Sequence, residues 1–191
     1  MKEKLIKIEN VLTDVGDSAF TLDLETNVLK TALFIFEYMD KPFSTKYFNI
    51  YLIEIGSFYE LFFKYKLSLI NNSLIWQYPE KYDKDKHVNA EMKSISADLA
   101  IAYAFNFGWI NENGKKIIID FKELRNKLLH FSACEQDDNK NTIRMQIIKN
   151  KDMQAHFKLI KRLLNDNTAI FKDNFIFQVI SQEKAFIETQ L

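Results

Sequence analysis

The sequence has few of the residues that break or staple a chain: four Gly, two Pro and one Cys among 191 residues. So few turn formers imply long helices joined by few sharp turns. The single cysteine, Cys134, excludes an intramolecular disulfide and any cysteine-rich metal site, and it suits a reducing compartment. An excess of either charge is also missing, since Lys plus Arg and Asp plus Glu number 26 each. No global field therefore draws the chain to nucleic acid or to an anionic membrane, and a polyanion must be held by a local patch.

Two further absences concern membranes and export. The N-terminal MKEKLIKIEN carries charges but no apolar run of signal-peptide length, so a cytoplasmic protein is expected. The most apolar stretch, 47-YFNIYLIEIGSFYELFF-63, contains Glu54 and Glu60. A carboxylate at mid-membrane costs roughly 2.5–3.5 kcal/mol, so a buried helix of a soluble bundle explains this stretch better than a span.

What the chain does have is aromatic and helix-forming: 17 Phe and eight Tyr, with abundant Lys, Glu, Leu and Ile. Its length fits one domain over residues 1–191, with a core at about 44–175 and an N-terminal extension, 1–42, carrying one helix. In that extension Leu24, Val28, Leu29, Ala32, Leu33 and Phe36 recur at helical spacing, with Thr21 or Asp23 as N-cap and Lys41-Pro42 as the stop. Ser44 can cap the next helix, whose stripe of Phe48, Leu52, Ile55, Tyr59, Phe62 and Leu69 runs to about Asn71. Periodicity fails over residues 71–91, which reads as a charged loop with a turn at Pro79. Helix resumes in 93–110, with Ser94 or Ser96 as cap and a stop near Gly108, and Asn113-Gly114 marks the following turn. A further helix covers about 116–131, a polar loop follows, and the alternation of Ile143, Met145 and Ile147 suggests one short strand or hairpin. A last helical region starts near 152 and continues, interrupted, towards the C-terminus. No repeat or linker divides the chain, and the fold expected is an all-α bundle of long antiparallel helices.

The stretch 121-FKELRNKLLHFS-132 sets an arginine, an asparagine and a histidine within six residues. On a helical wheel Ile117, Phe121, Leu124, Leu128 and Phe131 fall within about 40° of one line, the expected core stripe. Arg125 then lies about 80° to one side, with Asn126 at about 180° and His130 at about 140° on the other side. Ile118, Ile119 and Leu129 also leave that stripe, so the back of the helix needs an apolar cover. Another helix of the same chain supplies one, or else the same helix of a second copy across a two-fold axis, which brings two sets of Arg125, Asn126 and His130 to one seam.

The run 125-RNKLLH-130 resembles the Arg, four residues, His motif of the HEPN superfamily (higher eukaryotes and prokaryotes nucleotide-binding). The long upstream helix with 60-ELFFKYKL-67, an intervening loop and helix, and then the motif helix are similar in order to many HEPN domains, over about residues 47–131. With three Arg and three His in the chain, this spacing is expected by chance roughly 0.05 times. The resemblance implies a HEPN-like bundle, a homodimer, and a metal-independent endoribonuclease in a defence or toxin–antitoxin setting, with an antitoxin or other partner protein. Its alternative is a non-catalytic module that binds RNA or nucleotide, or scaffolds a partner. Ser132 stands where HEPN toxins paired with a nucleotidyltransferase antitoxin often carry Tyr, so neutralisation by modification of that Tyr is not expected here.

The residue types suit RNA cleavage, because RNA supplies its own nucleophile and needs a proton acceptor, a proton donor and a cation. His130 can act as base or acid near neutral pH. Arg125 offers a planar, permanently charged fork for phosphate oxygens, and Asn126 can orient His130 or hold such an oxygen itself. Lys115, Lys116, Lys122 and Lys127 can extend a basic rim for RNA, although such lysines are more often a solvated face. The remaining histidines read as structural: His87 sits in a charged loop, and His156 lies beside Met153, Phe157 and Ile160 on a helix face. No metal-ligand spacing joins the three His, the four Gly form no phosphate-cradling loop, and no cofactor is expected. Lys158, Lys161 and Arg162 form a small basic cluster. Glu60 and Lys64, four apart, read first as a stabilising pair, and as neighbours of the motif only where the two helices pack together.

Overall fold

A computed structural model of the chain describes residues 24–39, 45–77, 93–129 and 150–188. Over these residues the protein is all-α, with seven α-helices. They are α1 (Leu24–Met39), α2 (Thr45–Ile70), α3 (Ala97–Asn106), α4 (Glu112–Leu129), α5 (Asn150–Asp166), α6 (Thr168–Phe171) and α7 (Phe175–Glu188), with a single 3-10 turn at Asn72–Ile75. The expected strand at 142–148 lies outside the described residues, as do Cys134, His87 and Pro79.

The long apolar stretch becomes the axis of the bundle. Helix α2 is lined by α1 on one side and by α3 and α4 on the other, and α5 bridges α1 and α4. Along α2, Leu52, Ile55, Phe58, Phe62 and Phe63 are completely buried. Each such side chain stabilises the fold by roughly 1.5–3 kcal/mol relative to its exposed state. The Phe62 ring stacks on Phe58 at 5.5 Å and meets Phe171 at 6.3 Å, so α6, only four residues long, is held by what it packs against. Among the described residues no helix is long and apolar enough to cross a membrane. The two carboxylates in the run are accommodated differently. Glu54 is half-buried, and desolvation pushes its carboxyl upward. Glu60 pairs with Lys64, which is itself buried and donates to Ser94 Oγ at 2.9 Å. That pair therefore ties α2 to the segment entering α3, not to the motif.

The apolar spacing of α1 is realised, with Val28, Leu29, Ala32, Leu33 and Phe36 all in the core. Of the two candidate caps for α3, Ser96 fills the role, its side chain accepting from Leu99 N at 3.3 Å, while Ser94 forms an isolated antiparallel bridge with Trp76. Helix α3 stops where expected. Gly108 takes φ +72°, and the amides of Gly108 and Trp109 return to the carbonyls of Phe105 and Ala104. A left-handed residue there closes two carbonyls that would otherwise be orphaned, and glycine adopts it without a Cβ penalty.

Three sequence readings need correction. Leu69 is not part of the core stripe but 54% exposed, and at that end of α2 Leu67 is the residue that is buried. The loop assigned to 71–91 begins with the short 3-10 turn, capped by Asn71. Asn113-Gly114 is no turn: α4 starts at Glu112, four residues before the expected boundary. Asn111 caps it, its Oδ1 accepting from Gly114 N at 2.9 Å, so a side chain did what backbone propensity had been expected to do.

Candidate functional site

Helix α4 carries the motif, and its buried face differs from the one expected. Gly114, Ile118 and Phe121 are buried and Arg125 continues the same line half-buried, whereas Ile117 and Leu124 are only half-buried. The helix is thus rotated by roughly 70° from the expected stripe. Two consequences follow for the motif. Ile118, taken as part of a back face needing an outside cover, is 2% exposed within this chain. Arg125, placed to one side, instead points towards α2.

Space for it exists because α2 has one glycine. A Cβ at Gly56 would lie 2.5 Å from Arg125 Nη1, 3.0 Å from its Cδ and 3.4 Å from its Cζ. Glycine in mid-helix costs about 0.5–1 kcal/mol relative to alanine, and here it admits a guanidinium against the helix backbone. Asn126 fixes the other edge of the guanidinium: its Oδ1 accepts from Arg125 Nε at 3.3 Å and from Nη2 at 3.1 Å. Of the two sequence-level roles for Asn126, neither is what its oxygen does; it orients the neighbouring arginine. Among the described residues no carboxylate pairs with Arg125. Among the described residues the hydrogen-bond partner of this planar cation is thus a neutral amide. His130, five residues on in the sequence, lies outside the described residues, and so does Phe131; nothing is described of the side chains of Lys127, Leu128 and Leu129.

The proposed basic rim has other engagements. Lys122 is paired with Asp98 at the start of α3, and Lys115 Nζ lies 4.2 Å from the centre of the Phe105 ring. Lys116 is exposed. The small cluster on α5 is a surface feature, with Lys158 and Arg162 exposed and Lys161 half-buried.

One turn from Gly56, a second polar group enters the core. His156 is 4% exposed, with Nδ1 3.0 Å from Tyr59 Oη and its ring 4.3 Å from that of Phe121. Burial lowers its pKa to about 4, against a smaller upward pull from Asp152, so near neutral pH the imidazole that shares a hydrogen bond with Tyr59 is uncharged. Burial also raises the Tyr59 hydroxyl well above its ordinary value, opposed by Arg162, so it stays protonated. This is the satisfied structural histidine that its apolar neighbours implied. The pairing with Tyr59, and the contact of both α2 and α4 with His156, were not legible. For Gly56 a signal did exist, since a lone glycine inside a long apolar helix asks for a reason. Among the described residues no three His, Cys, Asp or Glu side chains gather where they would hold a metal ion.

Comparison with protein-family models, with curated proteins and with solved structures found no match to the chain.

Proposed function

We propose that the protein is a metal-independent endoribonuclease of HEPN type, working at a site built from Arg125, Asn126 and His130. The observation that carries this reading is Arg125: half-buried, held by Asn126 and free of any carboxylate partner among the described residues. A guanidinium oriented by an amide, with no acid beside it among the described residues, is suited to a phosphodiester. His130 follows five residues later in the sequence.

In the reaction a base takes the proton of the 2′-hydroxyl, and the oxygen attacks the adjacent phosphorus. The bond to the 5′-oxygen breaks and an acid protonates that oxygen, leaving a 2′,3′-cyclic phosphate and a 5′-hydroxyl. One imidazole performs one proton transfer at a time, so two copies of His130 across a homodimer seam divide the roles, and Arg125 steadies the non-bridging oxygens as charge grows on them. The cytoplasmic, defence or toxin–antitoxin setting and a protein antitoxin belong to this proposal through the resemblance of 125-RNKLLH-130.

Incubation of the dimer with RNA in EDTA is expected to give cyclic-phosphate ends. Arg125→Ala and His130→Ala are each expected to cut the rate by on the order of 10²–10³-fold, the usual effect of losing one group that stabilises the transition state. Equal cleavage by these variants removes the site, and a monomer by light scattering removes the shared seam. The engagement of Lys115 and Lys122 within the chain favours a second reading, a module that binds RNA or a partner without turnover. RNA binding with intact RNA ends is its signature.

A further inference from the structure

We infer that Gly56, on a different helix from the motif, is a positioning residue for Arg125: the side chain it lacks is the seat that fixes the guanidinium's pose. The inference deepens the nuclease reading and rests on it for the identity of the phosphate. Its geometric part stands alone. Three observations converge on Gly56. It is the only glycine in the 26 residues of α2, in the middle of the helix, at a point where neither a turn nor a positive φ calls for glycine. The three nearest atoms that a Cβ there would meet belong to one side chain, and that side chain is Arg125. The closest of them, Nη1 at 2.5 Å, is the end of a flexible chain and not backbone, so a methyl group displaces the guanidinium and leaves the helices where they are.

The seat and the amide work as a pair. Gly56 closes on one side of Arg125 while Asn126 Oδ1 accepts from Nε and Nη2 on another, and between them they remove the rotational freedom of the last torsions. Among the described residues Nη1 donates to no side chain, while Nε and Nη2 share the Asn126 oxygen. A fork oriented before substrate arrives loses less entropy on gripping two phosphate oxygens, and a displacement of about 1 Å is enough to cost on the order of 10²-fold in rate. Asn126 alone cannot hold that pose, because a single acceptor lets the plane pivot about it.

Gly56→Ala separates this role from ordinary helix packing. Alanine is the better helix former, so the thermal midpoint is expected to stay or rise, while RNA cleavage in EDTA falls at least 10-fold. The readout that a packing role does not move is the Arg125 Nε–H cross-peak in a ¹H–¹⁵N spectrum, assigned by its loss in Arg125→Ala. It is expected to shift in Gly56→Ala and in Asn126→Ala. An unshifted cross-peak in Gly56→Ala overturns the inference whether or not the protein cleaves RNA, and so does cleavage by Gly56→Ala at the wild-type rate. A shifted cross-peak with a wild-type protein that leaves RNA intact upholds the seat and overturns the nuclease reading. Should Gly56→Ala fold poorly, the double variant Gly56→Ala, Arg125→Ala decides: a midpoint at or above that of Arg125→Ala places the collision at the guanidinium, and no recovery overturns the inference.

Discussion

His156 and Arg125 approach α2 one helical turn apart, the first against Tyr59 and the second over Gly56, with Phe121 and Arg125 following each other on α4. The core handles these two basic groups in opposite ways. An imidazole can shed its proton, so burial neutralises it, and a hydroxyl shares a hydrogen bond with one of its nitrogens. A guanidinium cannot, so it stays at the margin, half-buried, with an amide acceptor and a backbone groove in place of an acid. The sealed group adds to the packing of the core, and the half-buried one keeps its charge at the edge of it. Depth is what separates them, and on α2 the depth is set by whether residue 56 or residue 59 has a side chain.

The largest expected effect sharpens the sealed side. Phe62→Ala removes a ring packed between Phe58 and Phe171 and is expected to destabilise the protein by about 3–5 kcal/mol, read by urea unfolding, with the thermal midpoint falling accordingly. A loss below about 1 kcal/mol shows that the aromatic stack is not the centre of the core. Next is the titration of His156. Its pKa is lowered from 6.5 unfolded to about 4 folded, so the unfolded chain binds more protons between those values. The stability that neutral His156 permits is complete above pH 6.5, declines as pH falls through that window, and is gone below about pH 4. The total is about 3 kcal/mol. Unfolding measured from pH 7 to 4 is expected to show this slope, and the Tyr59→Phe, His156→Leu double variant is expected to flatten it. An unchanged slope in the double variant assigns the acid sensitivity elsewhere.

At the half-buried site the effects on stability are small. Gly56→Ala, decisive for cleavage, is expected to change stability by no more than about 1 kcal/mol, in the favourable direction. Lys122→Ala breaks a pair whose acid is 69% exposed and is expected to cost less than about 0.5 kcal/mol. If that variant nevertheless loses RNA binding, Lys122 contacts the ligand despite its pairing with Asp98.

The helices were legible in the sequence because apolar spacing and caps are local. Val28 to Phe36 in α1, Ser96 before α3 and Gly108 after it each report a backbone requirement that the residue itself satisfies. The face of α4 was not legible. Ile117, Ile118 and Ile119 are consecutive and span about 200° of the wheel, so periodicity alone has no preference among them. The buried line also includes Gly114 and Arg125, which no hydrophobic count would place there.

By itself, then, the sequence determined that the chain is helical, where most helices cap and stop, and that an arginine on one of them is followed five residues later by a histidine. Only the tertiary structure decided how α4 turns about its axis, and with it that Arg125 faces α2 and that Asn126 holds it. The reason is physical. Helical spacing is a property of one segment, whereas rotation about the axis is set by the shape of the neighbour, and here that neighbour offers a groove one missing methyl group deep at Gly56.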